Sequence, residues 1–291
     1  MSPTSKVWLI TGANSGLGLA IAEYVLGQGH QVIACARDTN KLPISLKTAS
    51  ALPLDLNWSD SRIKETAVSA WNIYGRVDVL VNNAGYCLTG PVETLLADDI
   101  QSQFKTNVFG PISLIQAFIP LMREVHSGWI LNFSSIAGFD GYPPFDAYNA
   151  SKAALDAFTD SLAREVSKFG IIVRSVAPGF FPTNFLTTAF NTSSSASFAM
   201  YPEYDGLTKL YHEKHIQDGQ VGDAEKLSAR LFEIVTGEVK LDENWTRIPL
   251  GPDCGIRMLK KLGQLKENVE GTEKIWSSTD MDLEKVKARF T

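Results

Sequence analysis

The stretch Thr11-Gly12-Ala13-Asn14-Ser15-Gly16-Leu17-Gly18 decides the fold. It follows an apolar run, Lys6–Thr11, and opens a helical pattern, Gly16–Gln28. Glycines at these positions let the backbone turn sharply and come close to a ligand. The helix that begins there offers unpaired N–H groups and the positive end of its dipole to an anion. Alone, a glycine-rich turn is a weak signal. Between a first strand and a first helix it points to phosphate binding in a βαβ unit.

Outward from that turn the rhythm continues. Strand-like runs rich in Val, Ile and Leu lie at Gln31–Arg37, Ala51–Leu56, Val77–Asn82, Trp129–Ser134, Ile171–Ala177 and Thr246–Leu250. Nearly continuous apolar character is expected of parallel strands buried on both faces. Helical patterns fill the intervals at Ser59–Tyr74, Ala97–Val125, Ala147–Phe169 and Asp223–Thr236. Asp223 reads as an N-cap, and Gly75, Gly128, Gly170 and Gly237 read as helix stops. The alternation predicts one α/β domain over residues 1–291. It would be a doubly wound Rossmann-type fold, with a seven-stranded parallel sheet and helices on both faces.

One stretch breaks this rhythm. Phe180–Val221 contains NTSSSASFAM and the aromatics Phe180, Phe181, Phe185, Phe190, Phe198, Tyr201, Tyr204 and Tyr211. A connection this long in a compact domain reads as a substrate lid, over about residues 180–221. A C-terminal helical extension, about residues 252–291, reads as a helix at Asp253–Val269 and a polar tail, with Trp245 and Trp276 as its packing.

Composition narrows the function classes. The chain is 291 residues long, 44% hydrophobic and 20% charged, with a formal charge of −5. With no basic block, neither nucleic acid nor an anionic membrane is an expected partner. No apolar stretch approaches the ~20 residues of a membrane span. Cys35, Cys87 and Cys254 are few, odd in number and far apart, as in a reduced cytoplasmic protein. With no signal-like start, the sequons at Asn57, Asn132, Asn191 and Asn244 read as chance matches. Cys87 reads as a small packed thiol. His30, His126, His212 and His215 form no ligand set, so no metal is expected.

Further motifs follow the glycine turn in order. They are Asn82-Asn83-Ala84-Gly85 after the fourth strand, Asn107 in the next helix, and Ser135 thirteen residues before Tyr148. Tyr148-Asn149-Ala150-Ser151-Lys152, then Pro178-Gly179 and Thr183, complete the set. In that order they resemble the TGxxxGxG, NNAG, YxxxK and PGxxxT motifs of the short-chain dehydrogenase/reductase family, over roughly residues 5–255.

The residues support the same chemistry. Tyr148 and Lys152 are four apart on a helix and share one face. A tyrosine with its usual pKa of ~10 needs roughly three units, or ~4 kcal/mol, of bias to act as a base near pH 7. A lysine cation ~5 Å away supplies about 3 kcal/mol at an effective dielectric of ~20. Tyr148 is thus the expected general acid/base, with Ser135 stabilising the carbonyl oxygen. The resemblance implies that Lys152 also binds the nicotinamide ribose and that Asn107 supports a proton relay. It further implies cofactor contacts at Gly12, Asn14, Ser15, Gly16, Leu17, Gly18, Asp55, Leu56, Asn83, Ala84, Gly85, Pro178, Gly179 and Thr183.

Ala36 stands where NAD-using members carry Asp, and Arg37 follows it. An arginine there can hold a 2′-phosphate, worth about 1.5–3 kcal/mol. NADP(H) is therefore expected over NAD(H). The expected activity is reduction of a ketone or aldehyde on a bulky, largely apolar small molecule. A non-redox catalyst on the same fold (dehydratase, isomerase or cyclase) and an NADP-binding regulatory protein are the alternatives. Family members pair through the Tyr148 helix and its predecessor, which implies a homodimer or homotetramer; the extension leaves a monomer open.

Overall fold

The computed structural model describes residues 5–185, 198–206 and 221–280. Seven strands form one parallel sheet: β1 (Val7–Thr11), β2 (Gln31–Ala36), β3 (Ser50–Pro53), β4 (Val79–Asn82), β5 (Gly128–Phe133), β6 (Ile171–Pro178) and β7 (Arg247–Leu250). Their order is β3-β2-β1-β4-β5-β6-β7. Side chains alternate across it, as the two-residue period of a strand requires. Val7 and Leu9 join one core with Ile63 and Ala67 of α2 (Asp60–Tyr74), Phe118 of α4 (Gly110–Glu124) and Val166 of α5 (Asp146–Val166). Trp8 and Ile10 point the other way, onto Ile21 and Val25 of α1 (Gly16–Gly27) and Leu231 and Phe232 of α6 (Ala224–Thr236). His30 belongs to this second core; its Nδ1 accepts from the Trp8 indole at 3.2 Å, and burial lowers its pKa.

The reversal of strand order lies between β1 and β4, so a crevice is expected beyond their carboxyl ends. The candidate active site sits at that edge.

Four local expectations differ from the structure. The third strand ends at Pro53, short of the expected Leu56, because the chain bends into a turn in which Asp55 Oδ1 accepts from Asn57 N at 2.9 Å. The expected helix Ala97–Val125 is α3 (Ala97–Phe104) and α4 joined by a π-helical segment, Lys105–Phe109. Gly128 starts β5 and is no helix stop; His126 turns the chain with φ 47. Trp245, expected as packing for the extension, is 61% exposed, whereas Trp276, 51% exposed, does bond back onto the extension through its indole N–H to Val269 O at 2.9 Å. The remaining caps agree: Asp223 Oδ1 accepts from Glu225 N and Lys226 N, and Gly75, Gly170 and Gly237 are left-handed. Asn132 of the second sequon is fully buried.

Part of the expected lid lies outside the described residues, with Phe190, Tyr211, His212, His215 and the sequon at Asn191. Among the described residues no helix is long and apolar enough to cross a membrane. Nor does any cluster of His, Cys, Asp and Glu there suit a metal.

Candidate active site

Thr11, last residue of β1, ties the crevice floor together. Its hydroxyl accepts from Asn83 N (3.0 Å) and Ala84 N (2.9 Å), and Asn83 Nδ2 donates to Thr11 O at 2.9 Å. The glycine turn and the Asn83-Ala84-Gly85 strand end are thereby held edge to edge. Gly12 has φ +68, and a Cβ there would come within 3.1 Å of the Ala84 backbone. Gly18 is different. A Cβ on it would meet Gly12 O at 2.5 Å, so its place is the packing of α1 under the turn.

A cleft of about 710 Å³ opens above this floor. It is lined by Gly12, Asn14, Ser15, Gly16, Leu17, Arg37, Asp55 and Leu56. Asn83, Ala84, Gly85, Ser135, Tyr148, Lys152, Pro178, Gly179 and Thr183 complete the set of expected residues along it. Two expected site residues do not line it, Gly18 and Asn107. The donors at the N-terminus of α1, the left-handed glycines and the cleft that runs past them fit a dinucleotide: a side chain at Gly12 would push against Asn83 and Ala84 and spoil the turn that holds the phosphates.

At the far end, α5 presents Tyr148 and Lys152 on one face. Both are buried, 8% and 4% exposed. Lys152 Nζ donates to Phe133 O at 2.7 Å and stands 5.8 Å from the centre of the Tyr148 ring. Ser135 caps the turn after β5, its Oγ accepting from Ala137 N at 3.2 Å, and its hydroxyl acts on the Tyr148 phenol. Ser134 is the neighbour it could be mistaken for; its hydroxyl donates to Lys152 O at 3.3 Å.

Burial raises the Tyr148 pKa, with the Ser135 hydroxyl opposing it. The phenol is therefore held protonated. Burial lowers Lys152 to about 8, although the Asp156 carboxylate one turn further along α5 pulls it upward. Cys87 lies in the cleft wall, 1% exposed, with burial holding its thiol protonated.

Asn107 sits in the π-helical segment, buried behind the wall. Its Oδ1 accepts from Tyr86 N (3.1 Å), while Nδ2 donates to Tyr86 O (2.9 Å) and Ser151 Oγ (3.0 Å). That amide is fully used in fixing the Tyr86 backbone. Gln103 Nε2 donates to the same carbonyl at 2.9 Å.

Sequence reasoning missed two residues of the wall, Tyr142 and Phe145, whereas Phe185 belongs to the expected lid. Tyr142, Phe145 and Phe185 cluster around Tyr148, with the Phe185 ring 5.6 Å from the Tyr148 ring. Asp253 was also missed: its Oδ2 accepts from Phe180 N at 2.8 Å, fixing the chain just after Pro178-Gly179. Aromatics carry no spacing signature, and Asp253 is a lone helix-start acid, so neither had a readable signal.

Residues 6–194 match the family model for short chain dehydrogenase. The chain belongs to the short-chain dehydrogenase/reductase family of oxidoreductases, which bind nicotinamide cofactors. It is 29% identical over 276 residues to the oxidoreductase BOA17 of Botryotinia fuckeliana, covering 94% of this chain and 97% of that one. Among solved structures, a short-chain dehydrogenase from Streptomyces avermitilis superposes with a TM-score of 0.83 at 35% identity, covering 96% and 100%. Pseudomonas aeruginosa RhlG, solved with NADP, has a TM-score of 0.71 at 27% identity, covering 88% and 100%.

Proposed function

We propose that this oxidoreductase uses NADPH to reduce a ketone or aldehyde on a bulky, largely apolar small molecule, reversibly, to the alcohol. The observation that carries this reading is the buried Tyr148 phenol, which shares the cleft with Ser135 and Lys152 and is walled by aromatic rings.

Tyr148 is the catalytic acid. Held protonated by burial, it donates its proton to the carbonyl oxygen as charge develops there. Ser135 donates a hydrogen bond to that oxygen, steadying it through the transition state. Lys152, a cation in a low-dielectric site, stabilises the phenolate left behind and holds ribose hydroxyls. A bound reduced nicotinamide supplies the hydride. Asn107 is a positioning residue: with its amide committed to Tyr86 and Ser151, any proton relay there runs through its main chain. Tyr142, Phe145 and Phe185 shield the reacting carbonyl from water and accept a flat apolar body.

Arg37 is exposed at the lip of the cleft, available to a 2′-phosphate. Asp38, which would repel one, is turned aside: its Oδ1 accepts from Asn40 N at 3.1 Å. The NADP held by RhlG weighs on the same side. Asp55 commits one oxygen to the Asn57 turn and faces the cleft where an adenine amino group would lie.

The test is NADPH oxidation against a panel of aromatic and polycyclic ketones, repeated with Tyr148→Phe. Turnover should appear with an apolar ketone and fall about 10²–10⁴-fold in the variant. Product without NADPH consumption, or a variant as fast as the parent, contradicts the proposal.

A further inference from the structure

We propose that the exposed face of the C-terminal helix α7 (Pro252–Gly271) is a self-association surface, on which a second copy of this chain packs antiparallel about a two-fold axis near Leu265.

The first half of α7 is anchored. Cys254 is fully buried, with its thiol donating to Ala177 O at 3.1 Å, and Met258 packs against Ile136 and Ala177. Arg257 pairs with Asp140 at 2.9 Å and lies 4.7 Å from the centre of the Tyr142 ring. Beyond Lys261 the support ends: every residue from Leu262 to Gly271 is exposed. Isolated helices shorter than ~12–15 residues are marginal in water, and most helices draw their stability from burying one face.

That face exists and is apolar. Leu259, Leu262, Leu265 and Val269 recur at steps of three, three and four, which keeps them on one side of the helix. Trp276 extends the stripe, because its Nε1 donates to Val269 O at 2.9 Å and lays the indole alongside. These five side chains are 45% to 72% exposed. At roughly 100 Å² apiece they make an apolar centre of about 500 Å². With a polar rim, that reaches the ~800 Å² per partner of a standard stable interface. It is as large as the biggest patch a typical monomer leaves bare, ~300–600 Å².

The charges select the occupant. Lys260 stands at one end of the stripe, beside Arg257 and Lys261, which already pair with Asp140; Glu267, Glu270 and Glu273 outnumber Lys266 and Lys274 at the other. Antiparallel packing sets the basic end of one copy against the acidic end of the next, and opposes the two helix dipoles. A membrane-seeking helix would carry a Lys/Arg-rich polar face, whereas the second half of this one is acidic. The surface lies apart from the cleft, so this inference stands independently of the proposed function.

Light scattering on the full-length protein at micromolar concentration should give an oligomer. Its mass should halve in the Leu262→Glu/Leu265→Glu variant, with an unchanged circular dichroism spectrum. Because Cys35, Cys87 and Cys254 are all buried, an added surface thiol can be read cleanly. Mild oxidation should link Leu265→Cys to its own copy, whereas Lys274→Cys, far from the axis, should stay unlinked. A monomeric parent, an unchanged mass in the double variant, or linkage at Lys274→Cys in place of Leu265→Cys overturns the proposal. So does a parent that dimerises only after deletion of residues 281–291, or one that sediments with anionic vesicles, since the stripe then serves the chain's own tail or a membrane.

Discussion

The two ends of the cleft are built on different physical terms. At the reaction end Tyr148 and Lys152 are almost wholly out of water, and Ser135 and Lys152 each hold a named hydrogen bond. At the adenosine end Arg37 and Asp38 are exposed. Charges in a water-poor site interact several-fold more strongly than at a surface. Changes at the first end should therefore act almost all-or-none, and changes at the second should be graded.

After Tyr148→Phe, the largest effect at the buried end is expected from Ser135→Ala. It should lower kcat/KM by about 10²–10³ while leaving NADPH affinity unchanged, read by steady-state kinetics beside a binding titration. A loss of cofactor affinity alone would move Ser135 out of the chemistry. The next effect concerns pH. Lys152 is held down to about 8 and acts as a cation, so the rate should be full below that pH and fall as pH rises through it. Asp156→Asn removes the charge that pulls Lys152 upward, so the falling limb should move to lower pH. A limb that stays in place would separate Asp156 from Lys152.

The exposed end should respond less. Arg37→Ala is expected to narrow the NADPH/NADH affinity ratio severalfold, toward the low end of a charge-assisted hydrogen bond because water screens the site. A change of a thousandfold would mean that Arg37 is far more enclosed when cofactor is bound, and would erase the contrast between the two ends.

Both the sheet and the cleft could be read from the sequence for the same reason. β1 carries Trp8 and Ile10 to one core and Val7 and Leu9 to the other, so its apolar run announces a strand buried on both faces. The glycines at 12 and 16 announce a left-handed turn that other residues adopt only with strain. Features without a period or a backbone demand stayed hidden. The π-helical segment at Lys105–Phe109 keeps the apolar pattern of an ordinary helix, and His126 takes a positive φ that glycine usually supplies. Tyr142, Phe145 and Phe185 meet only because β5, α5 and the segment after β6 end at one sheet edge. The sequence shows α7 as one more helix, Asp253–Val269; only the fold reveals that its stripe stays exposed among the described residues.

The central claim is tested most directly by titrating the purified protein with NADPH and, separately, with NADH, following energy transfer from its six tryptophans and heat by calorimetry. Tight NADPH binding with NADH at least severalfold weaker is the predicted result, the preference that a 2′-phosphate held by a water-screened Arg37 should give. Equal affinities, or no binding of either dinucleotide by both methods, would contradict it.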